Sequence, residues 1–291
     1  MSDELPIKSI FKAYDIRGIV GSELSTAIVK KIGQAIGTTA LSQKQKTICV
    51  GYDGRLSSPS LSATLIDGLL STGINVIDIG LCTTPMLYFS NFNQETGTGV
   101  MITGSHNPPE YNGFKIVINK KTLSANDIQN LYQIILDSNF LTGEGNKKSL
   151  SIKSQYLDEI SDSIKLKRPM KVAIDCGNGA AGVCAEDLFK KLGVETEPLF
   201  CDVDGNFPNH HPDPSNPKNL LDLKDALKKG GSELGLAFDG DADRLGVVTK
   251  DGEIIFPDRQ LLLFSEAVLK ECPQSSIIFD VKSTRHLFSW I

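Results

Sequence analysis

The chain has 291 residues, a hydrophobic content of 40% and a formal net charge of −5, which is enough for two compact domains and part of a third. The acidic balance, with no run of lysines or arginines interleaved with aromatics, excludes a broad nucleic-acid surface. No apolar run approaches the roughly 20 residues that cross a bilayer, residues 1–10 lack the basic and apolar regions of a signal peptide, and the six cysteines are scattered without CxxC pairs, so a cytosolic chain with reduced, mostly core thiols is expected.

The first clear unit opens at Ile48-Cys49-Val50, turns at residues 51–54, continues as a helix-like stretch to Leu70, stops at Gly73 and resumes as a strand at 74–79. Strand, loop, helix, glycine stop and strand predict a parallel, right-handed βαβ unit. Gly99–Ile102 and residues 114–118 then read as buried strands around a polar loop, Thr103-Gly104-Ser105-His106-Asn107-Pro108-Pro109-Glu110-Tyr111-Asn112-Gly113. This places the Ser105 hydroxyl where a rigid sheet ends and a loop can face a ligand, and the two prolines stiffen that loop. Taken alone, an ordinary turn serine reads equally well. Residues 141–149 are polar and glycine-bearing, as a linker would be.

The βαβ pattern recurs at 171–177, with a helix through Leu192, Gly193, and a strand at 194–200. Within it, Gly177, Gly179 and Gly182 satisfy the G-x-G-x-x-G spacing of a dinucleotide site, and Glu197 stands where a ribose contact would be. The competing reading is that any tight strand-to-helix turn needs small residues. Residues 198–217 form a long loop rich in Asp, Asn, His and Pro, in which His210 and His211 either touch a ligand or pack the loop. After the strand-like Leu234–Phe238 comes Asp239-Gly240-Asp241-Ala242-Asp243-Arg244, and apolar character returns at 245–248. In an extended chain side chains at i, i+2 and i+4 share one side, so three carboxylates crowd together and repel unless a cation neutralises them. Oxygen-only ligands favour Mg²⁺ or Ca²⁺. An EF-hand fails, because Arg244 stands where Gly is needed and Lys250 where the bidentate Glu is needed; a solvated acidic loop is the alternative. Asp251-Gly252 marks a hairpin turn before Pro257. A third copy of the strand pattern begins at 276–280, and the helix after Lys282 meets no glycine stop or return strand. From Phe256 onward, Leu261, Leu262, Leu263, Phe264 and residues 277–279 are expected to form an exposed apolar surface.

A hydroxyl nucleophile and a tri-aspartate loop together suggest phosphoryl transfer, in which an ion bridges phosphate oxygens and the protein positions charge. A phosphoserine, with about −1.5 to −2 charge and three acceptor oxygens, would complete an ion's shell beside the aspartates. Arg244 and Lys115 offer positive charge to the transferred group, although either also reads as a surface cation.

On these residues the chain resembles the phosphomannomutase/phosphoglucomutase branch of the α-D-phosphohexomutases. The resemblance runs from Phe11 to the last residue. It rests on residues 11–18 (Phe11 through Tyr14, Asp15 and Arg17 to Gly18), the Ser105 loop, residues 175–182 and 204–214, the Asp239 loop and Asp280-Val281-Lys282. It implies repeated three-layer α/β domains with mixed, mainly parallel sheets: a first domain at 6–142, a second at 150–253, a truncated third at 256–291 and no fourth. It further implies that Ser105 is phosphorylated, that Asp239, Asp241 and Asp243 hold Mg²⁺ with it, and that His106 and Lys115 assist proton and phosphoryl transfer. Tyr14, Arg17, Arg244, Arg259 and Lys282 would line the substrate cleft. The implied partner is a mannose or glucose phosphate bound by a monomer, whose 6- and 1-phosphates interconvert through a bisphosphorylated sugar. Two other readings stand beside it. One is a phosphatase with Asp239 as nucleophile and Asp241 as second acid, against which Asp243 occupies a position where such enzymes usually carry Thr or Val. The other is a truncated product without turnover.

Overall fold

The computed structural model describes residues 4–291, so the first three residues of the N-terminal segment lie outside the described residues. The first sheet and its helices comprise β1 (Ile16–Ile19), α1 (Thr26–Ser42), β2 (Thr47–Tyr52), α2 (Ser58–Leu70), β3 (Asn75–Leu81), α3 (Thr84–Asn93), β4 (Gly99–Ile102), β5 (Tyr111–Ile118), β6 (Lys121–Thr122), α4 (Asn126–Leu136) and β7 (Lys147–Ser149). Strand order is β1-β5-β4-β2-β3-β7, with β6 paired to β5. The centre is continuously apolar: Ile48, Cys49, Val50 and Gly51 of β2 are all buried, as expected of a strand covered on both faces. One face carries α1, α2 and α4 through a core that includes Ile28, Ile32, Ile36, Leu65, Leu69, Ile128 and Leu131. The Ser25 hydroxyl starts α1 by accepting from the Ile28 N–H at 3.2 Å, satisfying one of the free donors at the helix end.

The second unit comprises α5 (Lys153–Ser163), β8 (Lys171–Asp175), α6 (Ala185–Lys191), β9 (Glu195–Leu199), α7 (Leu221–Gly230), β10 (Leu234–Phe238), β11 (Leu245–Thr249) and β12 (Ile254–Ile255), followed by α8 (Pro257–Glu271) and α9 (Leu287–Trp290). Its sheet runs β12-β11-β10-β8-β9. Val172 and Ile174 pack with Ala185 and Phe189 on one face, while Ala173 packs with Leu223 and Leu227 of α7 on the other. That is the period-2 alternation of a strand between two helical layers. A further cluster joins Ile77, Ile79, Met86, Leu87 and Met101 of the first unit to Leu157 and Cys184 of the second, so the two units share buried apolar surface.

Both expected βαβ units form, with β2 parallel to β3 and β8 parallel to β9. The parallel pairing, however, occupies only one side of each sheet, β4-β2-β3-β7 in the first and β10-β8-β9 in the second. The β4–β5 and β10–β11 pairs are antiparallel, because the Ser105 and Asp239 loops are short returns to a neighbouring strand rather than helical crossovers. The expected linker at 141–149 ends in β7, which pairs with β3. One further reading is corrected. Residues 276–280 form no strand: among the described residues none pairs with them, and an isolated run of backbone donors and acceptors has no ladder to join. Consistent with the expected apolar surface, Leu263 and Phe264 are exposed, and Ile278 is 90% exposed. Among the described residues, no helix is long and apolar enough to cross a membrane.

Candidate active site

The Ser105 loop hangs from the ends of β4 and β5, where the Thr103 N–H donates to the Gly113 carbonyl at 3.0 Å. Ser105 is buried and adopts φ 48°, a left-handed conformation that costs a side-chain-bearing residue on the order of 1–2 kcal/mol. Arg55 holds it there. One guanidinium nitrogen donates to the carbonyls of Pro108 (2.6 Å) and Tyr111 (3.0 Å), and the other to those of Ser105 (2.8 Å) and Asn107 (2.6 Å). The Arg55 Nε lies 3.3 Å from Asp53 Oδ2. Asp53 in turn accepts from the Ser58 hydroxyl at 2.6 Å and the Gly104 N–H at 3.2 Å. Neither residue was a site candidate from the sequence, and the available signal was an Asp-Gly-Arg triplet directly after a strand with a buried centre.

The acidic loop closes the β10–β11 pair, and here the geometry corrects the sequence argument. The three aspartates do not project from an extended segment. Ala242 has φ 59° and its N–H donates to the Asp239 carbonyl at 3.0 Å, so a turn, rather than strand periodicity, brings carboxylate oxygens of Asp239, Asp241 and Asp243 within 4.8 Å of one another. Asp239 Oδ1 accepts from the N–H groups of Asp243 and Arg244 at 3.1 and 3.0 Å, and its Oδ2 accepts from the Ser105 hydroxyl at 3.0 Å. Asp241 Oδ2 accepts from the Thr84 hydroxyl at 2.5 Å and meets the Lys115 ammonium at 2.6 Å. Lys115 also pairs with Asp243. The N-terminus of α3 adds its positive end here, with the Thr84 N–H on the Asp241 carbonyl at 2.9 Å.

The two loops interlock through Gly240. A Cβ at that position would stand 2.4 Å from the Ser105 carbonyl oxygen, and the Gly240 carbonyl accepts from the Ala180 N–H at 2.9 Å. The same packing accounts for the G-x-G-x-x-G spacing. A Cβ on Gly179 would meet the Gly240 oxygen at 3.0 Å, and one on Gly182 the Cys201 oxygen at 1.9 Å. Glu197, the candidate ribose contact, instead accepts from the Ser232 hydroxyl at 3.0 Å.

Electrostatics follow from this crowding. Burial, and then the charges of Asp241 and Asp243, push the Asp239 carboxyl up to about 7. Burial also works to raise Asp241, but the adjacent Lys115 ammonium and the hydrogen bonds it receives hold it below the usual carboxylate range. For Lys115, burial acts downward and is overcome by Asp241 and Asp243, so its pKa is raised. Asp241 Oδ1 is buried without a hydrogen-bond partner. An orphaned, ionised carboxylate oxygen beside two further carboxylates suits a hard cation with oxygen ligands. Asp241→Asn keeps the volume and removes the charge. With Mg²⁺ at 100 times its dissociation constant, a binding-competent chain gains about 2.7 kcal/mol. Calorimetric melting should show most of that gain lost in the variant, and an undiminished Mg²⁺-dependent rise in Tm would count against the site.

The remaining sequence candidates divide. His106 Nδ1 lies 3.3 Å from Ser105 Oγ, and burial, followed by the Arg244 charge, lowers its pKa. Arg244, half-exposed, has its Nε 3.9 Å from Asp239 Oδ2. It also lines a cavity of about 600 Å³ with Asp243, Pro214, Ser215, Phe256 and Asp258 among its walls. Tyr14, Arg17, Arg259 and Lys282 are not among those walls. Arg17 pairs with Asp15, Tyr14 is 75% exposed, and Arg259 and Lys282 are exposed. The two loop histidines pack the loop: the His211 ring lies against the His106 carbonyl, and His210 Nε2 meets Asp175 Oδ2 at 2.9 Å.

Burial works to lower the His210 pKa, but the hydrogen bond and charge of Asp175 more than reverse it, so the pKa is raised. The pair's extra stability is therefore fully present below the unfolded value of about 6.5 and is lost as pH rises through the higher native value. Chemical denaturation across that window should show the wild-type advantage over His210→Gln shrinking as pH rises; an advantage constant with pH would contradict it.

Two α/β/α units, one presenting a serine loop and the other an acidic triplet, set the class of the protein, and the comparisons agree. Residues 8–142 match the family model for phosphoglucomutase/phosphomannomutase, alpha/beta/alpha domain I, and residues 154–252 match that for domain II. The chain is 55% identical over 286 residues to a phosphoglucomutase of Neisseria meningitidis, covering 98% of this chain and 62% of the relative. It is 50% identical to a phosphomannomutase/phosphoglucomutase of Pseudomonas aeruginosa, covering 97% of this chain and 61% of the relative. A crystal structure of a phosphoglucomutase/phosphomannomutase family protein from Burkholderia thailandensis superimposes with a TM-score of 0.95 at 48% identity, covering 98% of this chain and 64% of that one. The chain belongs to the phosphoglucomutase/phosphomannomutase family of α-D-phosphohexomutases and spans roughly three-fifths of the length of these relatives.

Proposed function

We propose that the chain carries the phosphoryl-donor and metal-binding half of a phosphohexomutase, interconverting hexose 6-phosphate and hexose 1-phosphate through a phosphoserine at Ser105. The observation that carries this reading is the Ser105 hydroxyl 3.0 Å from Asp239 Oδ2, with Lys115 and Arg244 close by. Mg²⁺ is the cation that fits, held by Asp239, Asp241, Asp243 and a phosphate oxygen on Ser105, and it would supply charge neutralisation for the transferred group. Lys115 and Arg244 offset charge that grows on the phosphoryl oxygens. His106, its pKa lowered, is neutral near pH 7 and able to accept a proton beside Ser105 Oγ. The sugar hydroxyl attacks phosphorus, the bond to Ser105 Oγ breaks, and the hydroxyl proton passes to a neighbouring base. Reversal from the other end of the bisphosphorylated sugar restores the phosphoserine.

An aspartyl phosphatase is disfavoured, because Asp239 Oδ1 is turned onto the Asp243 and Arg244 N–H groups and Oδ2 faces the Ser105 hydroxyl, so the serine stands before the one aspartate oxygen that the backbone does not hold. Labelled hexose bisphosphate offered to the chain with Mg²⁺, followed by peptide mapping, tests the proposal. One phosphoryl group on Ser105, discharged by mannose or glucose phosphate, is the expected result. Label on Asp239, or none, would overturn it.

A further inference from the structure

Cys176 follows β8 and Cys201 follows β9, and their sulfur atoms lie 3.3 Å apart. Cys176 is buried and Cys201 is half-buried, so Cys201 is the member of the pair nearer to solvent and Cys176 lies behind it. The backbones on either side are joined. Cys176 N–H donates to the Leu199 carbonyl at 3.1 Å, Asn178 N–H to the Phe200 carbonyl at 2.8 Å, and Asp204 N–H to the Asn178 carbonyl at 3.0 Å. The loop beginning at Cys176 is also the one that holds Gly240 through the Ala180 N–H.

We propose that Cys176 and Cys201 form a thiol–disulfide modification site that takes a peroxide as oxidant, and that closing the bond alters cation binding at the Asp239 loop. In the first step the Cys201 thiolate attacks one peroxide oxygen. The O–O bond breaks, hydroxide leaves, and Cys201 becomes a sulfenic acid. In the second step the Cys176 sulfur attacks the Cys201 sulfur. The S–S bond forms, the S–O bond breaks, and water leaves with the Cys176 proton. Two thiols and one peroxide thus give a disulfide and two waters. The sulfurs must close from 3.3 Å to about 2.0 Å. Because β8 and β9 hold the flanking backbone, the loop from Gly177 to Gly182 absorbs that movement. Its Ala180–Gly240 hydrogen bond carries the shift to the turn that positions Asp239 and Asp241.

The chemical step is independent of the proposed function, and the coupling requires only that the acidic triplet binds a cation. The test treats the full chain with hydrogen peroxide, alkylates the remaining thiols and maps the peptides. The expected product is a Cys176–Cys201 cross-link that forms before Cys49, Cys82 or Cys184 reacts, reverses with dithiothreitol, and is absent from both Cys201→Ser and Cys176→Ser. A sulfinic acid at Cys201 beside a free Cys176 would overturn the site. Isothermal titration with Mg²⁺ alone then reads the coupling. A shift of 0.5–2 kcal/mol, or about two- to thirtyfold in Kd, is expected for the oxidised wild type, with none for peroxide-treated Cys201→Ser. Equal Mg²⁺ affinity in reduced and cross-linked wild type would overturn the coupling while leaving the disulfide standing. If reduced wild type binds no Mg²⁺, the coupling falls together with the metal reading.

Discussion

Ser105→Ala is expected to take up no phosphoryl group from a hexose bisphosphate, with the transfer rate falling on the order of a millionfold, as when a sole nucleophile is removed. The effect is chemical rather than structural. Ser105 already sits at φ 48°, where alanine is strained about as much as serine, and the Arg55 contacts to the loop are made to backbone carbonyls that the substitution leaves in place. The structural loss is one donor to Asp239 Oδ2, worth about 1 kcal/mol net. That hydrogen bond also holds the Asp239 pKa down, so the carboxyl should titrate higher in the variant. Rapid-quench labelling and a denaturation curve on the same preparation separate the two effects. Labelling near the wild-type rate would remove Ser105 from the chemistry, and a loss of labelling accompanied by gross unfolding would mean that the loop, rather than the nucleophile, had been tested.

The parts of the site legible in the sequence are those whose chemistry is local. A hydroxyl between two buried strands and three carboxylates at a strand end declare themselves within a dozen residues. The parts that escaped are joined over long stretches of chain: Arg55 reaches Ser105 across 50 residues, and Thr84 reaches Asp241 across 157. No local periodicity encodes either contact. The strand β7 was invisible for a different reason. Lys147, Lys148 and Ser149 are all exposed, so the edge position rests on backbone pairing and leaves no apolar alternation to read. The reverse error occurred at 276–280, where an apolar β-branched run satisfied the strand pattern but had no neighbour to pair with. Strand propensity states fitness for a pleated, half-buried surface, and it needs the surface to be there.

Arg55 shows how much of the nucleophile's geometry depends on a residue that makes no contact with the reacting atoms. Arg55→Met fills much of the same space, yet it leaves the buried Asp53 carboxylate without its ion-pair partner and removes a donor from four loop carbonyls. Breaking a buried pair in this way costs about 3–5 kcal/mol, a large share of the 5–15 kcal/mol by which a typical domain is stable. Burial already pushes the Asp53 pKa up, and loss of the guanidinium should push it further, so the variant can relieve the penalty by binding a proton. A group whose native pKa lies above its unfolded value of about 3.9 favours the folded state most at low pH, so the deficit should be largest near neutrality and shrink as pH falls. Arg55→Lys should be intermediate, because an ammonium can pair with Asp53 but lacks the planar fork that spans four carbonyls. Urea titrations of the three proteins at several pH values, read with hydrogen exchange over residues 103–111, test this ordering. If Arg55→Met loses stability equally at every pH while the loop amides keep their protection, Arg55 is not what pins Ser105 in its left-handed conformation.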